Sequence, residues 1–105
     1  MKARVKMKGL VAGILERKGS TVRFQYDKAY LQLGQPALSL SLPLREQPYE
    51  SEGLPAYFSG LVSEGWLKRV QATEQHIDPN DEFSLLVHNG NDLPGAVTIE
   101  LFDLS

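Results

Sequence analysis

Val22-Arg-Phe-Gln-Tyr26 alternates apolar and polar side chains residue by residue, so Val22, Phe24 and Tyr26 share one face of a strand while Arg23 and Gln25 take the other. The same reading extends upstream. Val5 and Met7 alternate with Arg4, Lys6 and Lys8, Gly9 permits a tight turn, and Leu10 to Leu15 form a second apolar run, which together predict a hairpin. Lys18-Gly-Ser20 supplies the next turn. Leu38, Leu40 and Leu42 alternate with Ser39 and Ser41 until Pro43 withdraws a backbone donor, and so read as a further strand. Residues 1–44 are therefore expected to be mostly β, a small antiparallel sheet with one buried face.

From Leu44 to Gly53 the chain is polar, contains Pro48 and shows no periodicity, which reads as a surface connection. The period then changes, and residues 54–90 read as mostly helical. Pro55 suits a first helical turn, and Tyr57, Phe58, Leu61 and Val62 recur at three- and four-residue spacing. Ser63 can cap a second helix carrying Leu67 and Val70, with Glu64 in its first turn. Asp78 and Pro79, with Asp81 at the third position, read as the start of a third helix bearing Phe83, Leu86 and Val87, ended by Asn89 and Gly90. A last strand over 95–102, with Val97, Ile99 and Leu101 alternating with Thr98 and Glu100, is expected to return to the N-terminal sheet. The expectation is one α+β domain over 1–105, a small antiparallel sheet packed with about three short helices.

Composition fits that expectation. The chain has 105 residues, 42% hydrophobic and 23% charged, as in ordinary folded domains. It has no cysteine, which excludes disulfides, thiolate zinc sites and a cysteine nucleophile and agrees with a reducing compartment. No apolar run approaches the roughly 18 residues of a membrane span, and no signal-like apolar segment follows the basic N-terminus, so the cytoplasm is expected.

The net charge of −2 hides an asymmetry: residues 1–45 hold nine Lys or Arg and two acids, residues 46–105 two Lys or Arg and eleven acids. Two readings are open, mutual neutralisation inside the fold or separate basic and acidic faces for different partners. Lys2, Arg4, Lys6 and Lys8 read as a solvated edge strand or, alternatively, as a nucleic-acid contact. The acidic balance overall weighs against a dedicated nucleic-acid binder.

No catalytic constellation is visible. His76 and His88 are twelve residues apart, outside any metal-ligand spacing, and read as surface or helix-end residues. Asp78, Asn80 and Glu82 superficially match a calcium loop, yet its sixth position is Phe83 rather than glycine, and helix capping explains them better. Phosphate-cradling glycine motifs and a nucleophile elbow are absent. The chain is expected to be no enzyme and to need no cofactor or metal.

Trp66 is the residue that stands out by type. On a helix it is either a core residue or, in the exposed first turn of a helix capped by Ser63, an interface anchor.

Taken in order, Phe24-Gln-Tyr26, Leu38-Ser-Leu-Ser-Leu-Pro-Leu44, Tyr57-Phe58 with Leu61-Val-Ser-Glu-Gly65, Asp81-Glu-Phe83-Ser-Leu-Leu86, and Gly90-Asn-Asp92 with Gly95-Ala96 resemble the N-terminal domain of HipA toxins over nearly the whole chain. In those proteins the domain precedes a serine/threonine kinase. A stand-alone version resembles HipS, the small component of tripartite HipBST toxin-antitoxin systems, whose kinase (HipT) and DNA-binding protein (HipB) are separate chains. The resemblance implies an antitoxin that binds a HipT-type kinase in trans, with a HipB-type protein as a further member of the complex; a detached domain that activates or stabilises the kinase is the alternative. It also directs attention to Ser63, Glu64, Gly65, Trp66, Leu67, Lys68 and Arg69 as the partner-binding segment. There Ser63 stands where the family commonly has proline, which loosens the turn.

Overall fold

A computed structural model describes residues 1–62, 81–88, 90 and 96–103. The elements are β1 (Lys2–Met7), β2 (Leu10–Lys18), β3 (Thr21–Tyr26), α1 (Lys28–Gln32), β4 (Tyr49–Glu52), α2 (Ala56–Leu61), α3 (Glu82–His88) and β5 (Val97–Asp103). The five strands form one sheet in the order β4-β3-β2-β1-β5, antiparallel at every pairing. The α+β expectation holds, and the last strand does return, closing on β1.

Local chemistry sets the hairpins. Met7 pairs with Leu10, leaving Lys8 and Gly9 as a two-residue turn with φ of 51° and 82°, the left-handed pair that matches the right-handed twist of the flanking strands. Between Val5 and Lys6 the register slips, so Ala12 is an extra residue on β2. Its carbonyl accepts from the Asp27 backbone N–H at 2.8 Å, where β3 gives way to α1. Gly13, beside this bulge, lies so close to β3 that a Cβ there would fall 2.8 Å from ring carbons of Phe24 and 2.4 Å from the Gln25 carbonyl oxygen.

One face of the sheet is the core. Ala3, Val5, Leu15, Val22, Phe24, Val97 and Ile99 are buried there beneath Tyr30 of α1, Phe58 of α2 and Phe83, Leu85 and Leu86 of α3. Phe24 joins Tyr26 edge-on (centroids 5.0 Å apart) and Phe58 (5.3 Å), and Tyr26 stacks on Tyr30 at 6.1 Å. Each such buried ring contributes about 1.5–3 kcal/mol of apolar burial.

The opposite face carries the charges. Lys2 pairs with Glu16 (3.5 Å), Arg23 with Glu50 (3.9 Å), and Arg4 and Lys6 with Glu100 (3.5 and 3.0 Å). Arg4 also lies 4.4 Å over the Phe102 ring. The hydrogen bond and charge of Lys6, with Arg4 adding to them, hold the Glu100 carboxyl below the usual carboxylate range. Of the two readings of the charge asymmetry, neutralisation is therefore the one seen among the described residues. It also corrects the edge-strand expectation: β1 lies between β2 and β5, and Lys2, Arg4 and Lys6 are held by acids.

Three other expectations are revised. The Leu38–Leu42 run is a turn, closed by Leu42 N–H to Ser39 C=O at 3.0 Å, with one isolated bridge between Ser39 and Leu42. The Tyr26 hydroxyl accepts from the Leu38 N–H (3.1 Å) and donates to the Leu42 carbonyl, taking backbone groups a ladder would need. Leu38 and Leu42 are buried while Leu40 points fully into solvent, so the alternation is real but serves a turn. Helix α1 sits in a stretch read as strands; Asp27 caps it, accepting from Ala29 N–H at 3.1 Å. Strand β4 lies in the stretch read as a connection, its pairing to β3 supplying what its polar sequence does not advertise.

Candidate partner-binding site

The segment singled out in the sequence, Ser63 to Arg69, lies outside the described residues, as do His76 and the Asp78-Pro-Asn80 start signal. What the structure defines is the frame that holds its two flanks.

On the entering side, α2 starts after Pro55, which serves as the cap rather than as a first-turn residue, and buries Phe58 against Phe24. It closes at Val62, which is buried, has extended backbone (φ −71°, ψ 134°) and donates its N–H to the Ser59 carbonyl at 3.2 Å. The chain therefore leaves the helix in an extended direction from a fixed, buried point.

On the returning side, Asp81 is the capping residue of α3, a role expected for Asp78. Its Oδ1 accepts from the Ser84 N–H (3.2 Å) and its Oδ2 from the Ser84 hydroxyl (2.7 Å). Oδ1 also accepts from Arg17 Nη1 of β2 at 2.8 Å, and the Arg17 guanidinium lies 4.9 Å over the Phe83 ring. Partial burial pushes the Asp81 carboxyl up, but the two Ser84 hydrogen bonds and the Arg17 charge outweigh it and hold it below its ordinary value. Ser59 Oγ donates to Glu82 at 3.0 Å and ties the two flanks to each other.

Beside this frame a cleft of about 330 Å³ is lined by Arg17, Ser20, Glu52, Leu54, Asp81 and Glu82, among others. Three carboxylates against one guanidinium disfavour a phosphate there. Among the described residues no group of three or more His, Cys, Asp or Glu is placed to hold a metal ion, and no helix is long and apolar enough to cross a membrane. His88 ends α3 with Nδ1 2.9 Å from the Ser84 carbonyl, which can only accept, so that nitrogen carries the proton; this is the helix-end role the sequence suggested.

Arg17 escaped the sequence reading because nothing within its own strand marks it; its partner is 64 residues away. Asp81 was visible as an acid at a helix start, and only its exact place in the cap was missed.

A five-stranded sheet covered on one face by short helices, with the end of α2 tied to the start of α3, defines a small α+β domain. The chain belongs to the HipA N-terminal domain family, which matches residues 3–100. A solved N-terminal domain of HipA toxin superposes with a TM-score of 0.76 at 32% identity, covering 99% of this chain and 94% of that one. An uncharacterised Haemophilus influenzae protein is 40% identical over 92 residues, covering 88% of this chain and 84% of that protein. The Sinorhizobium fredii protein "Putative kinase Y4dM" is 38% identical over 77% of this chain, yet only 21% of its own length is covered; the chain spans about a fifth of that relative.

Proposed function

We propose that this chain is an antitoxin that binds in trans to a HipA-like serine/threonine kinase of the HipT type and restrains it, itself performing no catalysis. The observation that carries this reading is the pairing of relatives: one in which the same domain is about a fifth of a kinase-named chain, and one, from H. influenzae, that is nearly all domain. A domain found in both settings suits a module that meets its kinase either in cis or in trans. The working segment is Ser63 to Arg69, led by Trp66, projecting toward the kinase cleft from the frame of Val62 and Asp81 and hindering lobe closure. A HipB-type DNA-binding protein joins the same complex, in the cytoplasm.

The decisive experiment adds the purified chain to a HipA-like kinase from the same genome and follows complex formation and autophosphorylation together. Stoichiometric binding with loss of activity is the expected result; no binding overturns the proposal. The kinase-named relatives also favour a second reading, a detached domain that stabilises or activates its kinase, and binding with a gain of activity, or deeper growth arrest on co-expression, would establish that instead.

A further inference from the structure

Two rows of side chains cross the charged face of the sheet, at right angles to the strands. The register aligns Asp103, Lys2, Glu16 and Arg23 in one row, passing from β5 through β1 and β2 to β3, and Glu100, Arg4, Ile14 and Gln25 in the next. On β5 the pairing steps from Leu101 to Asp103, so Phe102 is an extra residue between the rows. The Arg4 guanidinium lies 4.4 Å over its ring, and 41% of the residue stays exposed. Among the described residues, a groove of about 370 Å³ runs between the rows, with Lys2, Glu16 and Arg23 along one side and Phe102, Ile14 and Gln25 along the other. Its cations are already paired, Lys2 with Glu16 at 3.5 Å and Arg23 with Glu50 at 3.9 Å, which disfavours a phosphate backbone. Ile14 and Phe102 add apolar surface, so the groove suits an extended stretch of polypeptide.

Where the groove opens decides which polypeptide can reach it. The family is an N-terminal domain by description, and in the two kinase-named relatives the matched region makes up only 21% and 22% of the chain. In such a chain the polypeptide leaves the domain after its last strand, and that strand, β5, finishes with Asp103 opposite Lys2, at the mouth of the groove. Neighbouring strands lie about 4.8 Å apart, so the crossing from β5 to β3 spans about 14 Å, or some four to five extended residues. The segment that joins this domain to the rest of a one-chain relative is thus delivered to the groove by the fold itself, an advantage that no unrelated partner and no second copy of the chain possesses.

We infer that this groove binds the N-terminal segment of the kinase's catalytic chain, which in a two-chain system takes the seat of the connecting segment in one-chain relatives. The inference rests on the proposed kinase-binding function and names a second surface for it, with the kinase segment that fills it. The chain has no cysteine, so Gln25→Cys places a single thiol in the groove, and Leu33→Cys places one at a 57% exposed position outside it. Each variant is labelled with a benzophenone maleimide, mixed with the purified HipA-like kinase from the same genome and irradiated, and the crosslinked peptides are read by mass spectrometry. Gln25→Cys should join the N-terminal segment of the kinase, and Leu33→Cys should not. By calorimetry, Phe102→Ala should weaken kinase binding at least tenfold; removing that kinase segment should weaken it similarly, and the two losses should not add. A groove crosslink to another part of the kinase or to a second copy of this chain, or wild-type affinity in Phe102→Ala, would overturn the groove while leaving the kinase-binding reading intact. Failure of the wild-type chain to bind the kinase would remove both proposals together.

Discussion

Arg17 and Asp81 are 64 residues apart in sequence and 2.8 Å apart in the fold, and through that pair the end of β2 holds the start of α3. The pair is partly solvated, so its Coulombic share is modest, about 0–1 kcal/mol. The same carboxylate caps the helix, which is worth about 1 kcal/mol more. Asp81→Ala should therefore lower stability by about 1–2 kcal/mol, or some 4–8 °C in Tm for each kcal/mol in a domain of this size. Thermal unfolding checks it, and an unchanged Tm would mean that neither interaction contributes in solution.

The same carboxylate predicts a pH dependence. Its folded pKa lies below the ordinary value, so its contribution is present above the unfolded pKa of about 3.9 and is lost as pH falls through the depressed folded value. The stability gap between wild type and Asp81→Asn should therefore be constant near neutrality and shrink once pH drops below about 4. Urea unfolding between pH 7 and pH 2 measures it; a gap that widens on acidification contradicts the assignment.

Tyr26 spans sheet and loop. Its ring belongs to the aromatic core, while its hydroxyl serves both the Leu38 N–H and the Leu42 carbonyl. Tyr26→Phe keeps the ring and leaves two backbone groups beside buried leucines unpaired, a loss of about 1–3 kcal/mol. Burial raises the Tyr26 phenol pKa, with the Leu38 N–H bond opposing that rise. A raised pKa means stability fully present below about pH 10 and lost as pH climbs through the folded value. The wild type should thus show an alkaline decline whose Tyr26 share vanishes in Tyr26→Phe.

The strands with a buried face were legible because alternation of apolar and polar residues is itself the physical cause of a half-buried strand, as at Val22, Phe24 and Tyr26. The same logic misread Leu38 to Leu42, since a turn with two leucines tucked in and one out produces the same alternation. What decided between them was the Tyr26 hydroxyl, twelve residues upstream of Leu38. Strand β4 was invisible for the opposite reason: Tyr49-Glu-Ser-Glu52 has little apolar pattern, and its pairing partner β3 lies far away in the chain. The binding frame was half legible, with Asp81 marked by its helix-start chemistry and Arg17 unmarked.

Gly90 lies against β5, accepting from the Ile99 N–H at 3.0 Å, and a Cβ on it would fall 1.8 Å from the Ile99 carbonyl oxygen. Backbone meets backbone there, so no side-chain rotation relieves the clash. Gly90→Ala should destabilise the domain by about 1–3 kcal/mol and loosen β5. Amide exchange at Ile99 should quicken more than at Phe24, deep in the sheet; equal protection at both would show that the edge accommodates the methyl.

Trp66 is the point at which the two readings of this residue, core or anchor, give opposite results. A buried tryptophan truncated to alanine loses about 3–5 kcal/mol of stability. An exposed anchor that is covered only in the complex loses about 1.5–3 kcal/mol of binding, roughly a ten- to 150-fold weaker affinity, while the free domain melts where it did before. The proposed function requires the second pattern. Trp66→Ala is therefore expected to keep the wild-type Tm, to bind the kinase at least tenfold more weakly, and to leave autophosphorylation largely unrestrained at concentrations where the wild-type chain suppresses it. A large fall in Tm would place Trp66 in the core, and wild-type binding with full suppression would move the inhibitory contact away from the Ser63 to Arg69 segment altogether.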